Sequence, residues 1–272
     1  MTEELKRKTV GRLSLLRGGS GPALVLLHGI PGSAYSWEGV GERLTDRFDV
    51  IIPDLAGFGM SKEPPGDYYM EAQAAALRAL LEELGIASLY LGGHDFGGPV
   101  AITFLRMFPE IEVRGLLLSA TNLFTDTFVP VPLRAARIPL LGQLVFHLMA
   151  GNKPAFWMMY KQAARNKEVA TWDRFARHLT PGGMRLTRKI FHRSLADLKA
   201  NYSAVQGFLG GLELPTTVVW GDSDPFFAVE VGERTRDAIP GARLEVYPRT
   251  GHFVPEEQPE LLAADLRNAF AS

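Results

Sequence analysis

An aspartate stands at the centre of Gly93-His94-Asp95-Phe96-Gly97. A small-x-nucleophile-x-small frame marks a sharp strand-to-helix turn that lifts one side chain above a parallel sheet. Small residues flank the central position because a bulky side chain would clash inside so tight a turn. A carboxylate there dictates particular chemistry. Attack on a saturated carbon leaves an alkyl ester, whereas attack on an acyl group gives a strained, reactive anhydride. Asp95 therefore narrows the substrate class more than any other residue in the chain.

Such a nucleophile needs partners, and three further signals occur in a workable order. His28-Gly29-Ile30-Pro31 directly follows the apolar run Ala23–Leu27. A glycine-containing turn after a strand can aim a backbone N–H into a cleft, so the N–H groups of Ile30 and Phe96 form a candidate two-donor oxyanion hole. His-Gly-x-Pro taken alone suits an ordinary βα turn equally well. Gly221-Asp222-Ser223-Asp224-Pro225 offers a carboxylate at the C-terminal end of another strand, where sites of open parallel sheets lie. Asp224 is the preferred acid, because Asp222 sits within the tight turn and can hydrogen-bond its own backbone. His252, in Gly251-His252-Phe253, is one of six histidines but follows the last strand, downstream of both acids. Nucleophile, acid, histidine is the chain order expected of an elbow of this kind.

The elements that must hold these residues alternate. Ala23–Leu27, Val50–Ile52, Ser88–Leu91, Gly115–Leu118, Thr216–Trp220 and Arg243–Tyr247 read as strands. Between and after them, Tyr69–Leu84 (stopped by Gly85), Gly98–Phe108, Val229–Ile239 and Pro259–Phe270 have helical periodicity. This rhythm predicts an α/β fold with a mainly parallel central sheet flanked by helices. From Asn122 to Leu212 the rhythm breaks into helical patches separated by Pro and Gly. The expected organisation is a core of residues 1–121 and 213–272, with 122–212 as a helical cap over the strand ends.

Bulk properties exclude several alternatives. At 272 residues with 46% hydrophobic content and 22% charge, the chain can bury an ample core. It has no cysteine, hence no disulfide framework, zinc-thiolate site or thiol nucleophile. A net charge of −1 gives no reason to expect a nucleic-acid partner. The charged N-terminus lacks the apolar core of a signal peptide, and the most apolar stretch, 138–150, is too short and interrupted to span a bilayer. A soluble, cytoplasmic protein without membrane association is the expectation; oligomeric state is not readable. Charge is uneven, with 13 Lys/Arg against 4 Asp/Glu between Asn122 and Leu212. A solvated basic surface accounts for this more simply than steering of an anionic substrate.

With these motifs in register, the chain resembles the α/β-hydrolases, and within them the aspartate-nucleophile branch of epoxide hydrolases and haloalkane dehalogenases. Asp54-Leu55-Ala56-Gly57-Phe58-Gly59-Met60-Ser61 and His252-Phe253-Val254-Pro255-Glu256-Glu257-Gln258-Pro259 carry the same likeness. The resemblance implies that Asp95 forms a covalent alkyl ester, and that His252, oriented by Asp224, activates the water that hydrolyses it. It implies no metal and no organic cofactor, with a small apolar organic molecule and water as partners.

The leaving group decides the substrate. In the resembling dehalogenases, N–H donors hold the halide: a Trp directly after the nucleophile, often with an Asn in the His-Gly-x-Pro turn or a cap Trp. Here Phe96 and Ile30 occupy the first two positions, leaving Trp157 or Trp172 to compensate. Phe96 also replaces the Arg of fluoroacetate-cleaving relatives. An epoxide leaves as an alkoxide and wants a proton from the cap. Pro181–Arg193 resembles the cap stretch that carries the proton-donating tyrosine of epoxide hydrolases, with His192 at that position. His147, Tyr160 and Tyr202 are the other candidates, and each of the four equally suits a packed cap side chain. Trp157, Phe146 and Phe253 are candidate pocket residues. The balance favours an epoxide hydrolase over a dehalogenase. A non-catalytic binding protein of the same fold is the alternative of another class, and the complete set of motifs counts against it.

Overall fold

The apolar runs become the centre of a sheet. In this computed structural model, which describes residues 3–127, 138, 144 and 152–270, Ala23–Leu27 (β3) is buried along its whole length. Its neighbours are β4 (Asp49–Pro53) on one side and β5 (Ser88–His94) on the other, both parallel to it. Next come β6 (Glu112–Ser119), β7 (Thr216–Gly221) and β8 (Arg243–Tyr247), again parallel. All six expected strands are present. Two more, β1 (Lys6–Val10) and β2 (Leu13–Gly18), complete the order β1-β2-β4-β3-β5-β6-β7-β8, with antiparallel pairing of β1 to β2 and of β2 to β4. Their omission from the sequence reading has a physical cause. Lys6-Arg7-Lys8 looks like a solvated charged tail, yet charge on a strand at the sheet's edge blocks further pairing with other chains.

Helices cover both faces. On one lie α1 (Glu38–Glu42), which follows a 3-10 turn at Ala34–Trp37, and the late helix Pro259–Ala269. The other carries α2 (Met70–Leu84) and α3 (Gly97–Met107). Gly85 ends α2 in the left-handed region at φ 68°, a conformation glycine adopts at no steric cost. Between β6 and β7 the described residues form α4 (Lys153–Ala163), α5 (Trp172–His178), α6 (Pro181–Ala196) and α7 (Leu198–Phe208). Each starts on a side-chain cap: Asn152, Thr171, Thr180 and Asp197 accept the N–H groups of Ala155, Arg174, Gly183 and Ala200. Short polar residues, which carry a side-chain oxygen one position before each helix, thus set the four helix starts. The chain ends with α8 (Val229–Ala238), α9 (Val254–Glu257) and α10 (Pro259–Ala269). No helix among the described residues is long and apolar enough to cross a membrane.

The uneven charge is partly used inside the molecule. Arg177, Arg185 and Arg193, on the helices between β6 and β7, pair with Glu38, Glu63 and Asp67 of the sheet-forming part. Hence the basic segment and the acidic remainder meet across their junction.

Candidate active site

Register brings the expected residues together. Leu27 of β3 lies opposite Gly93 of β5, which lies opposite Leu118 of β6, so the loops after these strands emerge side by side. The elbow is tight: a Cβ on Gly97 would lie 2.4 Å from the Leu27 carbonyl oxygen. Asp95 sits in the left-handed region at φ 49°, uncommon for a residue with a side chain. Its backbone is held there by three bonds. The Asp95 N–H donates to the Ser119 carbonyl at 3.1 Å, while Gly98 N–H and Thr121 Oγ1 donate to the Asp95 carbonyl at 3.1 and 2.6 Å. Gly29 packs against the side chain, since a Cβ there would come within 2.4 Å of Asp95 Cβ.

The carboxylate has two different oxygens. Asp95 Oδ1 accepts the Ile30 N–H at 2.7 Å, and Oδ2 faces His252 Nε2 at 3.6 Å. His252 Nδ1 donates to Asp224 Oδ2 at 2.9 Å. Asp224 Oδ1 in turn accepts the N–H groups of Phe226 and Phe227 at 2.8 and 3.1 Å, so its orientation is set by backbone. Asp222 points elsewhere, accepting Ser223 Oγ and Thr250 N–H as a turn residue. Burial works against the charge of both central groups, but their mutual attraction wins. Asp95 is held below the usual carboxylate range by its bond to His252 and the charge of that imidazole. His252 is lifted to about 10, chiefly by Asp224 and then by Asp95. Two neighbouring histidines behave oppositely: burial pushes His28 and His94 down to about 4. Both are therefore neutral scaffolding. His28 Nε2 accepts the Leu55 N–H and its Nδ1 donates to the Gly29 carbonyl, while His94 Nε2 donates to the His252 carbonyl.

Asp95 and His252 open into a cavity that Phe96, Phe226, Phe227 and Phe253 line from the sheet side. From the helices between β6 and β7 come Met159, Tyr160, Phe191, Ser194, Leu198 and Tyr202. Among the described residues no Lys or Arg contributes to this lining. Among the described residues no group of acids and histidines is arranged to hold a metal ion.

Several candidates stand differently from expectation. Phe191, Ser194 and Leu195 reach the cavity from α6 at i, i+3 and i+4 spacing. His192, one residue on from Phe191, is turned about 100° round the helix and lies outside the lining. Trp157 is also outside it, packed 5.5 Å from the ring of Trp172 and 5.3 Å from that of Phe175. Tyr160 lines the cavity, but its hydroxyl donates to Glu256 Oε2 at 2.7 Å and is committed there. Tyr202 lines the cavity with its hydroxyl near those of Tyr69 and Ser194, and burial pushes its pKa well above the ordinary value. His147 and Phe146 lie outside the described residues.

The model of the alpha/beta hydrolase fold family matches residues 22–259, most of the chain and every strand after β2. The chain belongs to that family. Relatives within the alpha/beta hydrolase fold differ in what they are named for. A Moraxella protein named Lipase 3 is 30% identical, over 86% of this chain and 72% of its own. The soluble epoxide hydrolase of a Corynebacterium species is 28% identical, over 96% of this chain and 94% of its own. The crystal structure of haloalkane dehalogenase DbeA from Bradyrhizobium elkani superposes with a TM-score of 0.80 over 98% and 99% of the two chains, at 21% identity, and so shares the fold. The protein is thus a hydrolase by fold, and its reaction has to be argued from its own residues.

The sequence motifs do not point to Ser194, which lines this alpha/beta hydrolase cavity, or to Tyr69, whose hydroxyl meets it. Tyr69 OH and Ser194 Oγ lie 2.7 Å apart, across the junction of sheet domain and overlying helices. A signal for Ser194 existed: it is the polar member of the apolar i, i+3, i+4 face of α6 that carries Phe191 and Leu195.

Proposed function

We propose that the protein is an aspartate-nucleophile hydrolase that converts a small apolar epoxide to a vicinal diol. The observation that carries the reading is the Asp95 carboxylate itself, with Oδ1 on the Ile30 N–H and Oδ2 facing a His252 that is bound to Asp224. Asp95 Oδ2, the oxygen without a backbone donor, attacks a ring carbon. The carbon–oxygen bond of the ring breaks, and the departing alkoxide takes a proton from Tyr202. A raised pKa keeps that phenol protonated and able to donate at neutral pH.

Ester formation removes the negative charge of Asp95, and with it part of what lifts His252. His252 then gives its proton to solvent more readily, regaining it once Asp95 is a carboxylate again, and so becomes the base of the second step. It takes a proton from water, whose oxygen bonds to the ester carbonyl carbon. The charge that develops on Oδ1 falls on the N–H groups of Ile30 and Phe96. Collapse expels the diol oxygen, protonated by His252. The proton released as Asp95 re-ionises balances the one given by Tyr202.

Two observations weigh against a halide leaving group. All four tryptophans are accounted for outside the cavity lining, with Trp37 and Trp220 donating to the carbonyls of Leu27 and Phe227. Asn122 does line it, but its side-chain nitrogen already donates to the Phe124 carbonyl and its oxygen accepts the Phe124 N–H. An acyl substrate, as for an esterase or lipase, conflicts with a carboxylate nucleophile because the product would be an anhydride.

Replacing His252 with Phe should permit ester formation and block its hydrolysis. Intact-mass analysis after incubation with an epoxide panel should show the whole epoxide mass added at Asp95. A haloalkane panel that instead adds an alkyl group and releases halide would move the assignment to a dehalogenase. No adduct from either panel would sink the covalent mechanism.

A further inference from the structure

The loop carrying His252 is held from the helical segment above it as well as from the sheet below. Its own N–H donates to the Ala163 carbonyl at the end of α4, at 2.9 Å. Its carbonyl accepts from His94 Nε2 at 2.9 Å. The carboxylate of Glu257, five residues downstream and buried, closes the arrangement. Glu257 Oε2 accepts the N–H groups of Arg165 and Asn166, both at 2.8 Å, just past the end of α4. The same carboxylate accepts the Gly251 N–H at 3.1 Å through Oε1. Fit here is close, for a Cβ on Gly251 would lie 2.1 Å from the Ala163 oxygen. The bonds converge on the peptide groups on either side of His252, and two chain segments far apart in sequence share one acceptor.

We propose that Glu257 is a positioning residue for the hydrolytic half of the reaction, tying the turn after α4 to the His252 loop so that the imidazole faces the Asp95 ester. The proposal rests on the two-step reading above. It separates the half-reactions. Ester formation depends on Asp95, which the elbow holds through β5, β6 and Thr121, with no bond to Glu257. Ester hydrolysis depends on where the imidazole stands relative to the ester carbonyl. An unbound loop displaces only the second. A contact that merely stabilised the fold would change the amount of active protein and scale both steps alike.

Two variants test this. In Glu257→Gln one amide oxygen still accepts backbone N–H groups, at reduced strength. Glu257→Ala removes the acceptor outright. Each is mixed with an epoxide that forms the adduct on the His252→Phe protein, and the rates of adduct formation and loss are followed by rapid-quench intact mass. Formation should stay within about twofold of the unchanged protein, whereas loss should slow about tenfold in Glu257→Gln and about a hundredfold in Glu257→Ala, the scale expected of a small misplacement of a reacting group. Adduct should then accumulate at steady state. If the alanine variant does not fold, the glutamine variant alone decides. Equal slowing of both steps, or no slowing of either, overturns the positioning role and leaves the two-step reading standing. Absence of any adduct on His252→Phe removes the reading itself, and the positioning role with it.

Discussion

The two walls of the cavity are built by different forces. On the sheet side, each chemical group is placed by backbone. Asp95 is itself the strained residue of the turn from β5 into α3, Ile30 offers its own N–H, and Asp224 is aimed by the N–H groups of Phe226 and Phe227. On the helical side the groups are placed by side-chain packing: Tyr202 beside Ser194 and Tyr69, Tyr160 against Phe253 at 4.5 Å and bound to Glu256. Backbone placement tolerates almost no substitution where it is tight, as at Gly29 and Gly97. Side-chain placement survives exchange of one polar group for another. The start of the proposed reaction is therefore fixed more rigidly than the handling of its leaving group.

The sharpest way to break this contrast is at Asp224. In Asp224→Asn, the amide oxygen can keep the N–H groups of Phe226 and Phe227 while the amide nitrogen turns toward His252 Nδ1. That forces the proton onto Nε2, where the base must be bare. Turnover should fall about 10⁴-fold, the scale seen when an acid–histidine pair is given the wrong tautomer. Steady-state assay gives the loss, and the ester should accumulate on the protein. Stability should respond as well. His252 has a folded pKa of about 10, above its ordinary 6.5. Its ion pairs thus contribute fully below about pH 6.5, and the contribution is lost as pH rises through 10. The Tm difference between the unchanged protein and Asp224→Asn should shrink steadily across that window. A difference that grew with pH would contradict an imidazolium held by Asp224.

A smaller effect belongs to the helical wall. In the proposed reaction Tyr202→Phe removes one donor to the departing alkoxide, and it should slow adduct formation from epoxides about 10²- to 10³-fold, as loss of one such donor does elsewhere. Adduct loss should be unchanged, because the hydrolytic step belongs to the other wall. Single-turnover rates on both steps decide the matter. Slowing of adduct loss alone would mean that Tyr202 serves the water and not the leaving oxygen.

The same contrast explains what was legible in the sequence. Glycines and one acid at set spacings after apolar runs announce a backbone-built wall, so the elbow, the Ile30 turn, Asp224 and His252 could all be found as motifs. Local geometry also separates Asp224 from Asp222, because the tight turn itself consumes Asp222. The opposite wall has no such grammar. His192 has the right chemistry for a proton donor, but helical phase turns it away from the cavity while Ser194, two residues on, turns in. Tyr160 has both the type and the location, yet its O–H donates to Glu256, a pairing 96 residues distant in sequence that no local pattern announces. β1 was hidden for a related reason, because Lys6-Arg7-Lys8 suits both a loose tail and a guarded edge.

The smallest expected effect asks whether the junction of the two parts matters for the chemistry. Arg177 donates to both carboxylate oxygens of Glu38, at 3.1 and 2.8 Å, and its guanidinium lies 3.9 Å over the ring of Tyr35. Nearly half of its side chain is exposed, at 47%. Water and salt therefore screen the pair, and side-chain ordering offsets much of what remains. Arg177→Ala should cost about 1 kcal/mol, from a weak surface ion pair and a partly exposed cation–π contact together. In a chain of this size that is a fall in Tm of about 2–4 °C, and the ion-pair share of it should fade at 1 M salt. Turnover should stay within about twofold, since the bonds that hold His252 to α4 pass through Glu257 and Ala163, not through Arg177. Calorimetry and steady-state kinetics at low and high salt give both numbers. A tenfold loss of turnover with little loss of stability would mean that the helical wall is positioned as strictly as the sheet wall, and the difference drawn between them would not hold.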